Sequence, residues 1–218
     1  MEEKKKHLKL TARQKEILIG TLLGDGHLET QNNRKTYRLK IEHSLKQMLY
    51  VEWFANEFQE WIHTPPKKRS RMVTLHGKIA SYDRIGFATL SSGAFRFFAQ
   101  QFYPSNGINK VVPKLIHRWL SPLALAVWFM DDGSIKSNRH RTVFLNTHGF
   151  SDADLERLQE ALKQNYGIQT SIRVQKDGKQ IYLLAETINT FLTLIEPYVI
   201  PSMRYKLPKV WLTQLPKM

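Results

Sequence analysis

The sequence predicts an α+β protein made of two pseudo-symmetric αββαββα units, with antiparallel sheets and one apolar helix from each unit packed at the centre. Three observations predict it. Features of the first half recur in the same order in the second, the signature of an internal repeat. Each half alternates apolar and polar residues with the period of a half-buried strand. Short turn sequences join those runs, which only antiparallel neighbours allow. The units are placed at 1–112 and 113–218. The junction contains Pro113 and lacks a Gly/Ser-rich stretch, so rigid docking of the halves is expected.

Each unit opens on an apolar helix that ends in Asp-Gly: Ile17 to Gly26 and Leu123 to Gly133. An alternating strand follows. Tyr37, Leu39 and Ile41 oppose Arg38, Lys40 and Glu42; Val143, Leu145 and Thr147 oppose Thr142, Phe144 and Asn146. The next helix is expected over 47–62, burying Leu49, Trp53, Phe54 and Phe58. Its counterpart over 152–166 buries Leu155, Leu158 and Leu162, with Ser151 as N-cap. Hairpins are expected at His76-Gly77 and Asp177-Gly178, then shorter helices near 93–102 and 186–194. Each unit closes similarly, with Lys110-Val-Val-Pro113-Lys114 and Lys206-Leu-Pro208-Lys209. The offset between partners shrinks steadily: 107 residues from Asp25 to Asp132, 101 from Gly77 to Gly178, 97 from Pro104 to Pro201 and 96 from Lys110 to Lys206. Duplication followed by small deletions leaves such a drift; chance matches scatter.

Composition narrows the function. The apolar share of 42% in 218 residues supports a packed core. No apolar run approaches the roughly 20 residues that span a bilayer. The start of the chain has neither a signal-peptide core nor an Arg-rich transit pattern, so a cytoplasmic or organelle-matrix protein is expected. The absence of cysteine removes disulfides, thiolate zinc sites and cysteine nucleophiles. A net charge of +14 points to a polyanionic partner, nucleic acid first. A membrane surface is the rival, and no strongly amphipathic basic helix supports it.

The two Asp-Gly helix ends carry the chemistry. A helix C-terminus already presents unsatisfied carbonyls and partial negative charge. An aspartate there adds a full charge, and two such ends side by side repel unless a cation sits between them. Mg²⁺, which prefers hard oxygen ligands, would turn the cluster into a site. Gly20 and Gly24, four residues apart, and the small Ala124 and Ala126 permit close helix packing. Singly, an Asp-Gly end is an ordinary turn; the duplication makes Asp25 and Asp132 candidates. Lys110 and Lys206, matched at the ends of the units, are candidates to stabilise phosphoryl charge or tune an attacking water.

These residues bring a family into view. Leu18-Ile-Gly-Thr-Leu-Leu-Gly-Asp-Gly26 and Leu125-Ala-Val-Trp-Phe-Met-Asp-Asp-Gly133 resemble the paired nine-residue motifs of the LAGLIDADG homing endonucleases, and the resemblance extends over nearly the whole chain. It implies a saddle of two antiparallel sheets in the DNA major groove, with the motif helices at the central seam. It implies that Asp25 and Asp132 hold metal by carboxylate and that Gly24 and Asp131 do so by backbone carbonyl. The catalytic set would be Asp25, Asp132, Lys110 and Lys206. The reaction would be hydrolysis of one phosphodiester in each strand of a long target by two or more Mg²⁺ ions, with Mn²⁺ able to substitute. Val127 and Asp131 depart from the small residues of the motif's third and seventh positions.

The partner is then double-stranded DNA, engaged by a monomer and with no membrane role; its own intron RNA is a second candidate partner. Strand positions facing away from the core should meet the DNA: Arg38, Lys40, Arg71, Lys78 and Arg84 in the first half, Arg141, Arg173, Gln175 and Lys179 in the second. Lys67, Lys68 and Arg69 read as a loop run that grips backbone. Arg and Gln suit base edges, and Lys suits phosphate. An intron RNA maturase and a catalytically silent DNA-binding regulator remain as alternatives on the same fold.

Overall fold

The computed structural model describes residues 8–75, 78–104, 109–135, 137 and 142–213. Its contacts divide the chain into two compact units. One joins Met1–Lys15 to Gly26–Ala99; the other joins Glu16–Asp25 to Gln100–Met218. The first motif helix, α1 (Ala12–Leu23), therefore begins in one unit and ends in the other.

In the first unit, α1 starts with a reciprocal cap. Thr11 Oγ1 accepts from Gln14 N and Gln14 Oε1 accepts from Thr11 N, both at 3.1 Å, satisfying two otherwise orphan donors. Strands β1 (His27–Glu29), β2 (Arg38–Ser44), β3 (Lys67–Leu75) and β4 (Lys78–Ala88) form an antiparallel sheet in the order β1-β2-β4-β3. β2 alternates as expected: Leu39, Ile41 and His43 are buried while Arg38, Lys40 and Glu42 are half-buried. Helix α2 (Met48–Glu57) buries Tyr50, Val51, Phe54 and Ala55, followed by Phe58 and Trp61. This corrects the expected face. Leu49 is 60% exposed, because the apolar stripe at 50, 51, 54, 55 and 58 leaves position 49 on its flank. Trp53 stacks on Tyr50 with ring centroids 5.7 Å apart. Helix α3 (Arg96–Phe102) begins at the end of this unit and continues past it.

The second unit repeats the plan. A short α4 (Ile116–Trp119) precedes the second motif helix, α5 (Pro122–Asp132). Ser121 caps α5 by accepting from Ala124 N at 3.2 Å, and Pro122 opens it, where its missing N–H costs nothing. Every residue from Leu123 to Asp131 is buried, so α5 is a core helix rather than an amphipathic one. Strands β5 (Gly133–Ile135), β6 (Val143–Asn146), β7 (Thr170–Gln175) and β8 (Gly178–Leu183) form a sheet in the order β5-β6-β8-β7. Between β6 and β7 runs α6 (Asp152–Tyr166), with a Ser151–Asp154 capping box and Gly167 at φ 66° closing it. Helices α7 (Ile188–Ile195) and α8 (Lys209–Leu212) complete the unit.

Two details differ from expectation. The β7–β8 turn is Lys176-Asp177, since Gln175 pairs with Gly178. Gly178, at φ 135°, opens β8 where a side chain would stand 2.9 Å from the His148 backbone. Phe144 is buried on the outer face of its sheet, its ring 5.2 Å from that of Tyr182. The first hairpin pair, His76-Gly77, lies outside the described residues. Among the described residues no helix is long and apolar enough to cross a membrane.

Candidate active site

The site is built in the second unit, where the end of α1 meets the end of α5. Gly20 and Gly24 make the approach possible. A Cβ on Gly20 would stand 2.5 Å from the Ala124 carbonyl oxygen and 2.7 Å from Val127 Cβ, and one on Gly24 would collide with the Asp131 side chain. Val127, larger than the motif norm, is thus accommodated against a glycine. The last helical hydrogen bonds of α1 come from Gly24 N, which reaches Gly20 O at 3.2 Å and Thr21 O at 3.1 Å. The next amide, Asp25 N, donates instead to Asp131 Oδ2 at 3.1 Å.

This packing gathers three acids. Carboxylate oxygens of Asp25 and Asp131 lie within 4.8 Å of each other. Burial, then the neighbouring charges of Asp25 and Asp131, push the Asp132 carboxyl up to about 8, against the opposing pull of Lys110 and Lys206. Two lysines answer them. Lys110 Nζ donates to the Gly24 carbonyl. Lys206 Nζ donates to the carbonyls of Met130 at 2.5 Å and Asp131 at 2.7 Å. Burial depresses both ammonium groups despite the surrounding acids. Each lysine thus caps a helix C-terminus with positive charge. The four residues expected to be catalytic and the two carbonyls expected to bind metal are brought to one place.

The donor set fits a hard divalent cation. It offers several carboxylate and carbonyl oxygens, of which one acid is held neutral-leaning by burial and its like-charged neighbours, and a cation would relieve that repulsion. Asp25 and Asp132 carboxylates with the Gly24 and Asp131 carbonyls would hold it. Two further residues escaped the sequence reading. Asn146 Nδ2 donates to the Asp132 carbonyl at 2.7 Å, and Gln180 Nε2 donates to Asn146 Oδ1 at 2.6 Å. Only the antiparallel pairing of Asn146 with Gln180 brings these amides together.

On the first sheet, Arg38, Lys40, Lys67, Arg69, Arg71 and Arg84 share the exposed face. Two carboxylates share it as well: Glu29 Oε1 lies 2.9 Å from Arg38 Nε, and Glu42 Oε1 lies 2.8 Å from an Arg84 terminal nitrogen. The hydrogen bond from Arg84 holds the Glu42 carboxyl below its usual value. Lys67 to Arg69 belong to β3, not to a loop, and Lys68 pairs with Ile85 on the opposite face. The side chain of Lys78, at the start of β4, and Arg141 lie outside the described residues. On the second sheet, Arg173 and Gln175 share the face of Gln180 and Tyr182, and the Arg173 guanidinium lies 5.2 Å from the centroid of the Phe144 ring. Lys179 is a correction: it pairs with Val174 on the other face and binds Asp152 at 2.5 Å.

The chain is similar to known proteins. The model of the LAGLIDADG DNA endonuclease family matches residues 15–191. The chain is 30% identical over 209 residues to "Probable intron-encoded endonuclease 1" of Wickerhamomyces canadensis, covering 94% of this chain and 87% of that one. It is 30% identical over 200 residues to cytochrome b mRNA maturase bI2 of Saccharomyces cerevisiae, covering 88% of this chain and 46% of that one. The solved structure of the homing endonuclease I-WcaI bound to its DNA recognition sequence superposes with a TM-score of 0.82 at 29% identity, covering 94% of this chain and 89% of that one. The family match takes in both Asp-Gly helix ends and Lys110, and with the full-length relatives it settles the kinship: the chain belongs to the LAGLIDADG DNA endonuclease family.

Proposed function

We propose that the protein is a site-specific homing endonuclease, encoded in an intron, that makes a double-strand break in a long duplex target by Mg²⁺-dependent phosphodiester hydrolysis. One observation carries the reading: the ends of α1 and α5 converge three acids, two carbonyls and two lysines on one point. In each strand a water oxygen forms a bond to phosphorus while the bond from phosphorus to the leaving 3′-side oxygen breaks. The leaving oxygen ends protonated. Bound Mg²⁺ supplies Lewis-acid stabilisation of phosphoryl charge and lowers the pKa of a bound water. The chain supplies the rest. Asp25 and Asp132 bind the cation, and Lys110 and Lys206 place positive charge where the phosphate's negative charge grows. The cationic face of the first sheet favours a phosphate backbone.

The maturase relative supports a second reading, in which the protein binds its own intron RNA. One experiment separates them. The protein is incubated with Mg²⁺ and DNA carrying the fused exons of its host gene. Specific double-strand cleavage, lost in Asp25→Asn and in Asp132→Asn, is expected, with Ca²⁺ permitting binding but no cutting. Tight binding of intron RNA with no cleavage of that DNA would support the maturase instead.

A further inference from the structure

At the position just before the paired aspartates the two motif helices differ in chemistry: Gly24 in the first, Asp131 in the second. Asp131 is a buried carboxylate, 8% exposed. Burying such a group is costly unless its oxygens are satisfied. One of them, Oδ2, is satisfied twice across the helix seam. Fully buried Thr21 donates its hydroxyl to Asp131 Oδ2 at 2.9 Å, and the same oxygen accepts Asp25 N at 3.1 Å. Gly24, lacking a Cβ, leaves the space that the Asp131 side chain fills.

The consequence falls on Asp25. Gly24 N still bonds back into its own helix, but the amide of Asp25 is drawn onto a side chain of α5. That bond sets where the α1 backbone leaves the helix, and with it the direction from which the Asp25 carboxylate reaches the site. No reciprocal bond can exist at the other half, since Gly24 has no side chain. There the Asp132 carbonyl is held by Asn146 and, behind it, Gln180.

We propose that the Asp131 side chain, locked by the Thr21 hydroxyl, is a positioning group that fixes Asp25 for cation binding and cleavage. It acts through Asp25, separately from any ligation by its own carbonyl. The inference rests on the proposed endonuclease activity, and wild-type cleavage of the target is the control for that reading.

Thr21→Val keeps shape and removes the donor; Thr21→Ser keeps the donor; Asp131→Ala removes the acceptor. Three quantities are measured on each full-length variant: the thermal midpoint, Tb³⁺ affinity by luminescence without DNA, and single-turnover cleavage with its kcat–KM split. Losing a hydrogen bond to a charged group predicts about tenfold weaker Tb³⁺ binding and about tenfold lower kcat for Thr21→Val, with KM unchanged. Thr21→Ser should recover both, and Asp131→Ala should lose more than Thr21→Val. Wild-type Tb³⁺ affinity and kcat in Thr21→Val would overturn the proposal. So would a loss confined to Asp131→Ala, which marks direct ligation, or a fall in thermal midpoint in Thr21→Val with cation affinity unmoved, which marks plain packing. If wild type itself does not cleave, the endonuclease reading fails, while the Tb³⁺ arm still decides the positioning role.

Discussion

The two sheets share one strand order, β1-β2-β4-β3 and β5-β6-β8-β7, yet present different chemistry on their exposed faces. Among the described residues, the first carries Arg38, Lys40, Lys67, Arg69, Arg71 and Arg84 against Glu29 and Glu42. The second carries Arg173 with Gln175, Gln180, Asn146 and the ring pair Phe144–Tyr182. Strand register decides which positions face outward; side-chain identity decides what they bind. A face rich in guanidinium and ammonium suits phosphate, whereas amides and a ring-stacked arginine suit base edges. The duplicated scaffold therefore carries two sheets of unequal surface chemistry.

Breaking the first sheet should give the largest effect on binding. Replacing Lys67, Arg69 and Arg71 with Ala is expected to weaken DNA binding in Ca²⁺ and to lower the salt slope by about 0.9 for each phosphate no longer neutralised. Fluorescence anisotropy across a salt series checks it, and an unchanged slope would place the phosphate-binding residues elsewhere. Breaking the second sheet should act differently. Gln175→Ala with Gln180→Ala is expected to leave the slope alone and relax discrimination by about 1–3 kcal/mol at one or two base pairs, read by cleaving a library of target variants. Relaxation spread over all positions would contradict the division of labour.

A stability test sharpens the contrast from behind the second sheet. Asp154 accepts from Val112 N at 2.9 Å, and Arg157 donates to the Val112 carbonyl at 2.8 Å. Burial raises the Asp154 carboxyl, but hydrogen bonds from Ser151, Val112 and Arg157 outweigh it and hold the group below its usual value. A depressed folded value contributes stability above the unfolded value and loses it as pH falls through the folded one. Asp154→Asn should therefore cost about 1–3 kcal/mol at neutral pH, with the gap to wild type closing below about pH 4. Denaturant titrations at several pH values check the sign; a gap that widens in acid would refute it. The smallest effect is expected from Lys179→Ala, which removes a solvent-exposed ion pair on the face away from the proposed interface. Binding should be unchanged and stability lowered by about 0–1 kcal/mol; a clear loss of DNA affinity would return Lys179 to the interface.

The paired helices and the matched lysines were legible because duplication repeats them at a drifting offset, and a repeat survives without knowledge of tertiary contacts. The sheet faces were legible only in part. A two-residue turn inverts number parity across a hairpin, so the odd Arg173 and Gln175 share their face with the even Gln180 and Tyr182 rather than with Lys179. Lys68 departs from the expected loop for a related reason: its basic run resembles a loop, but it lies in β3, where register turns it away from Lys67 and Arg69. Leu49 shows the limit of periodicity when several apolar residues crowd one helix. Thr21 left no signal, because it acts through a partner that only folding brings near; the alternation sets Asn146 opposite the apolar positions, but its bond to the Asp132 carbonyl emerges only in the fold.

Asp25 and Asp132 are proposed to form one composite centre. Single-turnover cleavage of a supercoiled plasmid bearing the target tests it most directly, with Asp25→Asn, Asp132→Asn and the double variant compared. Each single change should abolish linear product, and the double variant should lose no more than either alone, since residues acting as a unit are non-additive. Linear product at the wild-type rate from either single variant would contradict it.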